Sequence, residues 1–403
     1  MTKVRQLPYG EMAEKGFDVR LVMEEASRCL LCEDAPCTRD CPAGTDPGRF
    51  IRSIRFRNFV GAAKTIRMHN ILGASCAEIC PQERLCEKAC SRCGIDKPIQ
   101  IGRLQAFAME QERKLGFKVL EAGADCGKKV ACIGAGPSSL AVAAELAKLG
   151  VQVTIIDENE KAGGVLRYGI SPSRLSDEVI DQDIAAVESL GVKFELNKRV
   201  GKEDLDKLMA EYDAVYVGVG LSASKMIPNL KGADLKGCDT ALSFLKKARM
   251  SKGNVGELGR VVIIGGGDVA MDCASTAKQL GAKSVYVSFI ETMEAMPAYK
   301  PEVDYVISLG VPLIPAFKPV EVVGDDAVKS VSFVSMDGAS SMSLAADTVI
   351  FAVGQKVSAD YAEVKADGKL FIGGDLANGG RTVVEAVANG KDVAKDIAKF
   401  LQI

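Results

Sequence analysis

The sequence lacks several features that would mark a secreted, membrane or nucleic-acid-binding protein. Its first residues, MTKVRQLPYGEMAEKG, have no apolar core of a signal peptide, and no apolar run is long enough to span a bilayer. Lys and Arg (51) nearly balance Asp and Glu (53), and no long basic run occurs. We therefore expect a cytoplasmic protein whose partners are neither nucleic acid nor membrane. The single histidine, His69, is most simply a surface or packing residue.

Disulfides are the least expected use of the thirteen cysteines, because cytoplasmic thiols are kept reduced. The chain does not need such cross-links, since 403 residues can form two or three domains with cores of their own. Hydrophobic residues make up 47% of the sequence and charged residues 26%, as in an ordinary globular protein. The cysteines must therefore serve another chemistry.

Nine of the cysteines fall into two groups near the N-terminus. The first group, CLLCEDAPCTRDCP, has the spacing C-x2-C-x4-C-x3-C-P, and the second contains Cys80, Cys86 and Cys90 together with Cys76 and Cys93. Zinc sites commonly use well-separated CxxC pairs. A dense run that ends in proline instead resembles the ferredoxin pattern, in which the fourth cysteine binds the other cluster. The pattern favours iron–sulfur clusters, and zinc or unligated redox-active thiols remain the alternatives.

Two glycine-rich loops, each between a predicted strand and a predicted helix, indicate two nucleotide sites. In GAGPSSLA the glycines permit a tight turn and a close backbone approach to a pyrophosphate, which the helix N-terminus also attracts. An acidic residue after the following strand can accept hydrogen bonds from a ribose. The candidate residues of the first site are Gly134, Ala135, Gly136, Pro137 and Asp157.

The second loop, GGGDVAMD, repeats this plan about 130 residues later, with Ala270 where close helix packing needs a small side chain. Its candidate residues are Gly265, Gly266, Gly267, Asp268 and Val269, and Gly354 in DTVIFAVG is a further candidate. Two such sites in one chain suggest a flavin beside a nicotinamide. A flavin accepts a hydride and can release electrons singly, as one-electron carriers require.

The combined motifs resemble the FAD/iron–sulfur subunit of NAD-dependent dihydropyrimidine dehydrogenase, a family that includes the small subunit of glutamate synthase. The resemblance rests on the cysteine groups, the two glycine loops, GGVLRYGISPSRL and GGDLANGGRTVVEAVANGK, and it covers nearly the whole chain. It implies an α/β fold in which a helical iron–sulfur domain precedes two Rossmann-like domains, with the NAD domain inserted in a split FAD domain. The implied boundaries are 1–122 for the helical domain, 123–222 and 349–403 for FAD, and 223–348 for NAD(H).

The resemblance also implies two [4Fe–4S] clusters with crossed ligation. The first cluster would be held by Cys29, Cys32, Cys37 and Cys90. The second cluster would be held by Cys41, Cys80, Cys86 and Gln105, the last in the motif PIQIGRLQ. From its sequence context alone, Gln105 would be a surface residue of a helix. Cys76 and Cys93 receive no ligand role, and we expect both to be buried small apolar residues.

For FAD, the resemblance adds six residues: Gly164, Val165, Arg174, Val200, Asp375 and Thr382. Asp375 is also supported by its position directly after an apolar strand, where open α/β sheets bind ligands. Arg174 could instead be a surface charge and Val200 a core residue. Ser171 stands where the family has a proline, which leaves the local geometry uncertain.

One departure from the family bears on the nucleotide. NADPH-using members have an arginine pair after the second strand of the inserted domain, and this chain has Ile290 and Glu291 there. Glu291 would repel a 2′-phosphate and could bind ribose hydroxyls, so we expect NADH. The alternative is a solvated loop carboxylate.

The resemblance implies an oxidoreductase that passes electrons from NADH through FAD and the two clusters to an FMN- and iron–sulfur-containing catalytic subunit. That partner would interconvert uracil or thymine with the 5,6-dihydro form. No side chain is expected to act as a catalytic acid or base. The alternatives are a glutamate synthase small subunit, another NAD(P)H-dependent flavin/iron–sulfur electron-transfer subunit, and a binding module that senses nicotinamide redox state.

Overall fold

Two five-stranded parallel sheets follow an N-terminal group of helices. A computed structural model describes residues 8–10 and 16–403. The described residues divide into two compact units. The larger unit contains those of Glu14–Leu166, Leu175–Leu221 and Val357–Ile403, and the smaller unit contains Arg167–Arg174 and Ser222–Lys356 with the few described residues before position 14.

The helices before the first sheet share an apolar core that includes Phe50, Ile54, Ile66 and Leu104. They are α1 Val19–Arg28, α2 Pro36–Arg39, α3 Pro47–Arg55, α4 Phe59–His69, α5 Gly73–Ile79 and α6 Ile101–Leu115, with 3-10 turns at Gln82–Arg84 and Ser91–Gly94. The segment FIRSIRFRNFVGAAKTIRMHN is helical as predicted, but it forms two helices. The break follows from Arg57, which has a φ of 56°, and from Asn58, whose side chain accepts a hydrogen bond from Gly61 N.

The first sheet begins after an extended linker, residues 117–128. A hydrogen bond from Cys126 N to Gly150 O joins this linker to the segment that precedes β2. The next elements are β1 Lys129–Ile133, α7 Pro137–Lys148, β2 Gln152–Ile156, α8 Val165–Tyr168, α9 Asp177–Glu188, β3 Lys193–Glu195, α10 Leu205–Glu211 and β4 Ala214–Val217. Strands β1, β2 and β4 are almost entirely buried, which explains their continuous apolar sequence.

The smaller unit contains the second parallel sheet and an antiparallel sheet. Its elements are β5 Ala223–Ser224, β6 Cys238–Thr240, α11 Ala241–Met250, β7 Arg260–Ile264, α12 Asp268–Gln279, β8 Ser284–Ser288, α13 Lys300–Ser308, β9 Leu313–Ile314, β10 Phe317–Gly324, β11 Val328–Ser335, β12 Ser341–Ala345, β13 Thr348–Phe351 and β14 Gln355–Lys356. The parallel order is β6-β13-β7-β8-β9, and β10, β11 and β12 form an antiparallel meander.

The chain then returns to the first sheet through β15 Leu370–Ile372, followed by α14 Asp375–Asn378 and α15 Val383–Leu401. Strand β15 pairs in parallel with β4, which gives the order β15-β4-β1-β2-β3. The predicted insertion of one nucleotide domain in another is therefore confirmed. The expected return at residue 349 differs from the structure, because β13 pairs with β6 and β7 of the second sheet and the larger unit resumes at Val357.

Candidate functional site

Four cysteines from the two cysteine groups line one small cavity in the larger unit. Cys29 follows α1, Cys37 lies in α2, and Cys32 lies in the loop between them. Cys90 joins them from the second cysteine group, where Ile99 N donates a hydrogen bond to its Sγ at 3.5 Å. The structure thus brings together all four residues predicted for the first cluster.

The surroundings of these thiols suit an iron–sulfur group. Burial raises the pKa of the Cys37 thiol to about 12 and also raises that of Cys29, and the neighbouring thiols add to both shifts. Four thiols around an apolar cavity are the donor set of a [4Fe–4S] cluster, whose iron takes the place of the thiol protons. Among the described residues, no group of three or more His, Cys, Asp or Glu side chains could hold a single metal ion.

A second group of thiols gathers around Cys80, which directly follows α5. The hydrogen bond between Cys80 and Cys76 raises the pKa of Cys80 most, followed by burial and by the nearby Cys41 and Cys86. Burial likewise raises the pKa of Cys86, with Cys41 among the charges close to it. The structure therefore places the three cysteines predicted for the second cluster near one another.

Cys76 and Cys93 differ in burial, although the same setting was predicted for both. Cys76 is buried, as predicted, and its thiol contacts Cys80. The prediction that Cys93 is buried was wrong, because this side chain is exposed and its Sγ lies 3.4 Å from Glu87 O. All thirteen cysteines are unpaired.

Gln105 is not the surface residue that its sequence context suggests. It is 8% exposed in α6, and its Nε2 donates to Gly73 O at 2.7 Å. Gly73 begins α5, the helix that leads to Cys80. The side-chain amide is thus fixed against the helix that carries one of the other predicted ligands, and its own ligand role stays a prediction.

The first glycine loop forms a tight cradle at the carboxyl end of β1. Gly134 has a φ of 92°, and a Cβ there would lie 2.7 Å from Gly218 O. Gly136 caps α7, with Pro137 in the first turn of that helix. The turn at Gly164 packs closely against this loop, because a Cβ on Gly164 would lie 2.7 Å from Gly136 Cα. The loop and this turn thus enclose the N-terminal end of α7, where the dipole favours a pyrophosphate.

A buried polar atom beside this cradle fits the polar groups of a dinucleotide. Ser139 Oγ has no hydrogen-bond partner among the described residues. Asp157 follows β2, and its carboxylate accepts hydrogen bonds from Ala135 N at 2.7 Å and from Asn159 N at 2.7 Å. The acidic side chain is therefore fixed at the rim of the loop, as a ribose-binding group would be.

The remaining residues predicted for FAD in the larger unit have different settings. Asp375 follows β15 closely, burial raises its pKa, and Arg381 N donates to its carboxylate. Thr382 caps α15 through a reciprocal pair of hydrogen bonds with Glu385. Val165 begins α8 and is partly exposed, whereas Val200 is 6% exposed and packs in the core of the sheet.

Arg174 lies in the smaller unit, where its guanidinium binds two carboxylates. Its Nη1 lies 2.7 Å from Asp272 Oδ2 and its Nε 2.7 Å from Glu302 Oε1. Asp272 also accepts a hydrogen bond from Ser171 N, the position where the family has a proline. The predicted FAD contact of Arg174 therefore competes with an existing ion-pair network.

The second glycine loop repeats the cradle at β7. Gly265 has a φ of 137°, and a Cβ there would lie 2.2 Å from Ala352 O. Gly267 caps α12, and Asp268 in its first turn accepts a hydrogen bond from Tyr299 N at 2.5 Å. Gly266 packs against Phe289, which immediately follows β8. This arrangement keeps the carboxyl ends of β7 and β8 close together.

The other candidates of the second site lie around this loop. Val269 packs against the core of the smaller unit, and Ala270 is fully buried, as close helix packing requires. Glu291 lies just beyond β8 and is partly exposed, and its carbonyl accepts from Ala316 N. Gly354 lies beyond β13, where its carbonyl accepts from Lys225 N at 3.0 Å.

Sequence reasoning missed a buried ion-pair network in the larger unit. Arg67 is fully buried, and its guanidinium binds Glu112 of α6, Asp183 of α9 and the carbonyl of Ile71. Asp183 also accepts a hydrogen bond from Ser75 N at 2.8 Å, near the start of α5. A signal existed in the sequence, because Arg67 interrupts the apolar face of its helix.

Together, the two dinucleotide cradles and the cysteine groups define a pyridine-nucleotide-dependent flavin and iron–sulfur oxidoreductase. Residues 8–117 match the family described as dihydropyrimidine dehydrogenase domain II, 4Fe-4S cluster. Residues 102–226 and 128–390 match the pyridine nucleotide-disulphide oxidoreductase family. In the part of the chain that the structure describes, no helix combines the length and apolar character needed to traverse a membrane.

The curated relatives extend over the full chain. The NAD-dependent dihydropyrimidine dehydrogenase subunit PreT of Salmonella typhimurium is 43% identical over 412 residues, which cover 98% of both chains. The glutamate synthase [NADPH] small chain of Escherichia coli is 30% identical and covers 100% of this chain and 96% of that protein. A structure of Mycobacterium tuberculosis FprA in complex with NADPH has a TM-score of 0.59 at 17% identity, over 68% of this chain and 84% of that chain, and it supports the fold.

The chain belongs to the family of NAD-dependent dihydropyrimidine dehydrogenase PreT subunits. This membership confirms the resemblance inferred from the motifs, the fold class and the oxidoreductase assignment. It also confirms the cofactor types: [4Fe–4S] iron–sulfur, FAD and a nicotinamide nucleotide. The individual ligand and nucleotide contacts stay predictions.

Proposed function

We propose that this chain is the electron-input subunit of a dihydropyrimidine dehydrogenase. It takes electrons from NADH and delivers them through FAD and two [4Fe–4S] clusters to an FMN-containing partner subunit. That partner interconverts uracil or thymine with the 5,6-dihydropyrimidine. The observation that carries the proposal is the 43% identity with a PreT subunit over 98% of both chains.

In this proposal the larger unit holds both the clusters and the flavin. Cys29, Cys32, Cys37 and Cys90 bind the first cluster, because they line one cavity. Cys41, Cys80 and Cys86 bind the second cluster, with Gln105 as the fourth ligand. The cysteine helices and the flavin sheet share one compact unit, so electrons can pass between their cofactors without a domain rearrangement.

The flavin supplies the conversion of a two-electron hydride donor into single electrons. The chain's own residues bind and orient it. Gly134, Ala135, Gly136, Pro137 and Gly164 form the pyrophosphate cradle, and Asp157 receives the ribose. The residues of the larger unit proposed to complete the pocket are Val165, Val200, Asp375 and Thr382.

The smaller unit binds NADH. Gly265, Gly266 and Gly267 allow the pyrophosphate to approach the N-terminal end of α12, alongside Asp268, Val269 and Gly354. Glu291 accepts hydrogen bonds from the adenosine ribose and repels a 2′-phosphate, which selects NADH over NADPH. No proton transfer by a side chain is required, because positioning of the two cofactors is sufficient for hydride transfer.

A second candidate is the small subunit of a glutamate synthase, which the 30% identical relative favours. The two functions differ in the partner and its substrate. We would coexpress the chain with FMN- and iron–sulfur-containing subunits from the same genome and assay NADH oxidation. The proposal predicts oxidation that depends on uracil or thymine. Oxidation that depends on glutamine and 2-oxoglutarate instead would contradict it.

A further inference from the structure

A lysine in the last helix is bonded to the cysteine segment of the larger unit. Lys391 Nζ lies 2.6 Å from Ala43 O and 2.7 Å from His69 O. Ala43 is buried and lies in the turn that begins at Cys41, which is closed by a hydrogen bond from Gly44 N to Cys41 O at 2.9 Å. The lysine therefore holds the turn that carries one predicted ligand of the second cluster.

The same helix is held firmly against the flavin cradle. Gly390 packs so closely on α7 that a Cβ on it would lie 2.4 Å from Ser138 O. Thr382, a proposed FAD contact, caps the N-terminal end of this helix. One helix thus connects the flavin pocket with the Cys41 turn, and Lys391 makes that connection.

Among the described residues, no carboxylate forms an ion pair with Lys391. The charged or titratable groups around it are Cys41, Glu145, Lys148 and Lys395. Glu145 pairs with Lys148 at 2.7 Å, and Lys395 pairs with Asp392 at 2.8 Å. Burial lowers the pKa of Lys391 from its ordinary value of 10.5. The amine donates to both backbone carbonyls and thereby lies beside the turn that carries Cys41.

We propose that Lys391 is a positioning residue for the second cluster, where it fixes the Cys41 turn and raises the reduction potential of the cluster. The proposal depends on the ligand set given under the proposed function. Cluster potentials depend on net charge and on nearby hydrogen bonds. A cation in a poorly solvated setting favours the more negative, reduced form of a group close to it. Lys391 therefore helps the second cluster to accept an electron from the flavin.

The test is a redox titration of the iron-loaded chain with dithionite, monitored by electron paramagnetic resonance and without NADH. Lys391→Gln keeps an N–H donor group and removes the charge, Lys391→Arg keeps the charge, and Lys395→Gln is the matched control on the same helix. Gln105→Cys assigns the second cluster, because it changes only that signal. At a fixed potential we expect Lys391→Gln to lower the reduced-to-oxidised ratio of the second cluster by about tenfold, which is 59 mV for one electron.

Lys391→Arg and Lys395→Gln should titrate like the unmodified chain, and the first cluster should not change in any variant. Loss of the second signal alone from Lys391→Gln, with Lys391→Arg still loaded, would also support the proposal. An unchanged potential in loaded Lys391→Gln, an equal shift in Lys395→Gln, or loss of both clusters would overturn it. If the unmodified chain shows no second signal, the ligand set of the proposed function fails first and this inference fails with it.

Discussion

The two parallel sheets share the order of four neighbouring strands and the same glycine cradle, yet they differ in what is attached to them. The sheet of the larger unit is joined to the cysteine helices through the buried cation Arg67 and through Lys391. The parallel sheet of the smaller unit has an antiparallel meander, Phe317–Ala345, in place of such helices. One copy of the loop thus lies in the same unit as the cysteine groups, and the other copy lies in a separate unit.

The acidic residues that follow the second strand of each sheet show the same difference. Asp157 directly follows its strand and is hydrogen-bonded to the glycine loop. Glu291 lies three residues beyond Ser288 and is partly exposed. The first acid is thus part of a hydrogen-bonded cradle, whereas the second is more exposed to solvent.

The largest expected effect concerns the attachment of the larger unit's sheet to the cysteine helices. Arg67→Met leaves Asp183 and Glu112 without their cation, which should lower the free energy of unfolding by roughly 3–5 kcal/mol. Arg52→Met, on an exposed position of α3, should change it by about 0.5 kcal/mol or less. Chemical denaturation of the chain measures both. Equal costs for the two variants would show that the network does not hold the helices.

The two cradles can be separated by adding a single Cβ to each. A Cβ added at Gly136 or at Gly267 would meet no described protein atom within 4 Å, so alanine there should fold normally and obstruct only the pyrophosphate. Gly136→Ala should lose flavin while NADH still binds. Gly267→Ala should keep flavin and raise the KM for NADH by about tenfold or more.

Flavin absorbance of the purified variants and titration with NADH measure these two properties. Loss of both properties in either variant would contradict the assignment of one nucleotide to each sheet.

Nucleotide choice should respond to Glu291. Glu291→Gln removes the repulsion of a 2′-phosphate and one acceptor for ribose hydroxyls, so the preference for NADH over NADPH should fall by about tenfold, or 1.4 kcal/mol. Steady-state reduction of an artificial acceptor with each nucleotide measures it, and Glu294→Gln in the same exposed loop is the control. Equal rates with both nucleotides before substitution would refute the preference.

The ion-pair network of Arg174 should make the stability of the smaller unit depend on pH. Burial raises the pKa of Glu302 to about 7, although Arg174 opposes the shift. The folded state therefore keeps a proton that the unfolded state releases above its ordinary value of 4.5, and stability should fall as pH rises from about 4.5 to about 7. Glu302→Gln should remove this contribution, an effect on the order of 1–3 kcal/mol.

Thermal unfolding across that pH range measures the effect, with Asp304→Asn, an exposed position of the same helix, as the control. Parallel profiles for Glu302→Gln and the unmodified chain would show that Glu302 does not titrate in this window.

Local patterns in the sequence predicted the two glycine cradles and the cysteine groups, because these features depend on spacing within short segments. The family resemblance implied the insertion of one nucleotide domain in the other. The membership of β13 in the second sheet was not predicted, because an apolar strand does not specify its neighbours. The burial of Gln105 and the exposure of Cys93 also escaped prediction, since both depend on how distant helices pack. The pairing of Arg67 with Asp183 spans 116 positions, and only the fold brings these residues together.

Electrons from NADH are expected to pass through the flavin to the clusters of the same chain. We would test this path by an anaerobic titration of the purified chain with NADH, followed by visible spectroscopy. We expect loss of the flavin bands together with the broad absorption of the iron–sulfur clusters. Bleaching of the flavin with iron absent or unchanged would contradict the path to the clusters, and no bleaching at all would favour a binding module that senses nicotinamide.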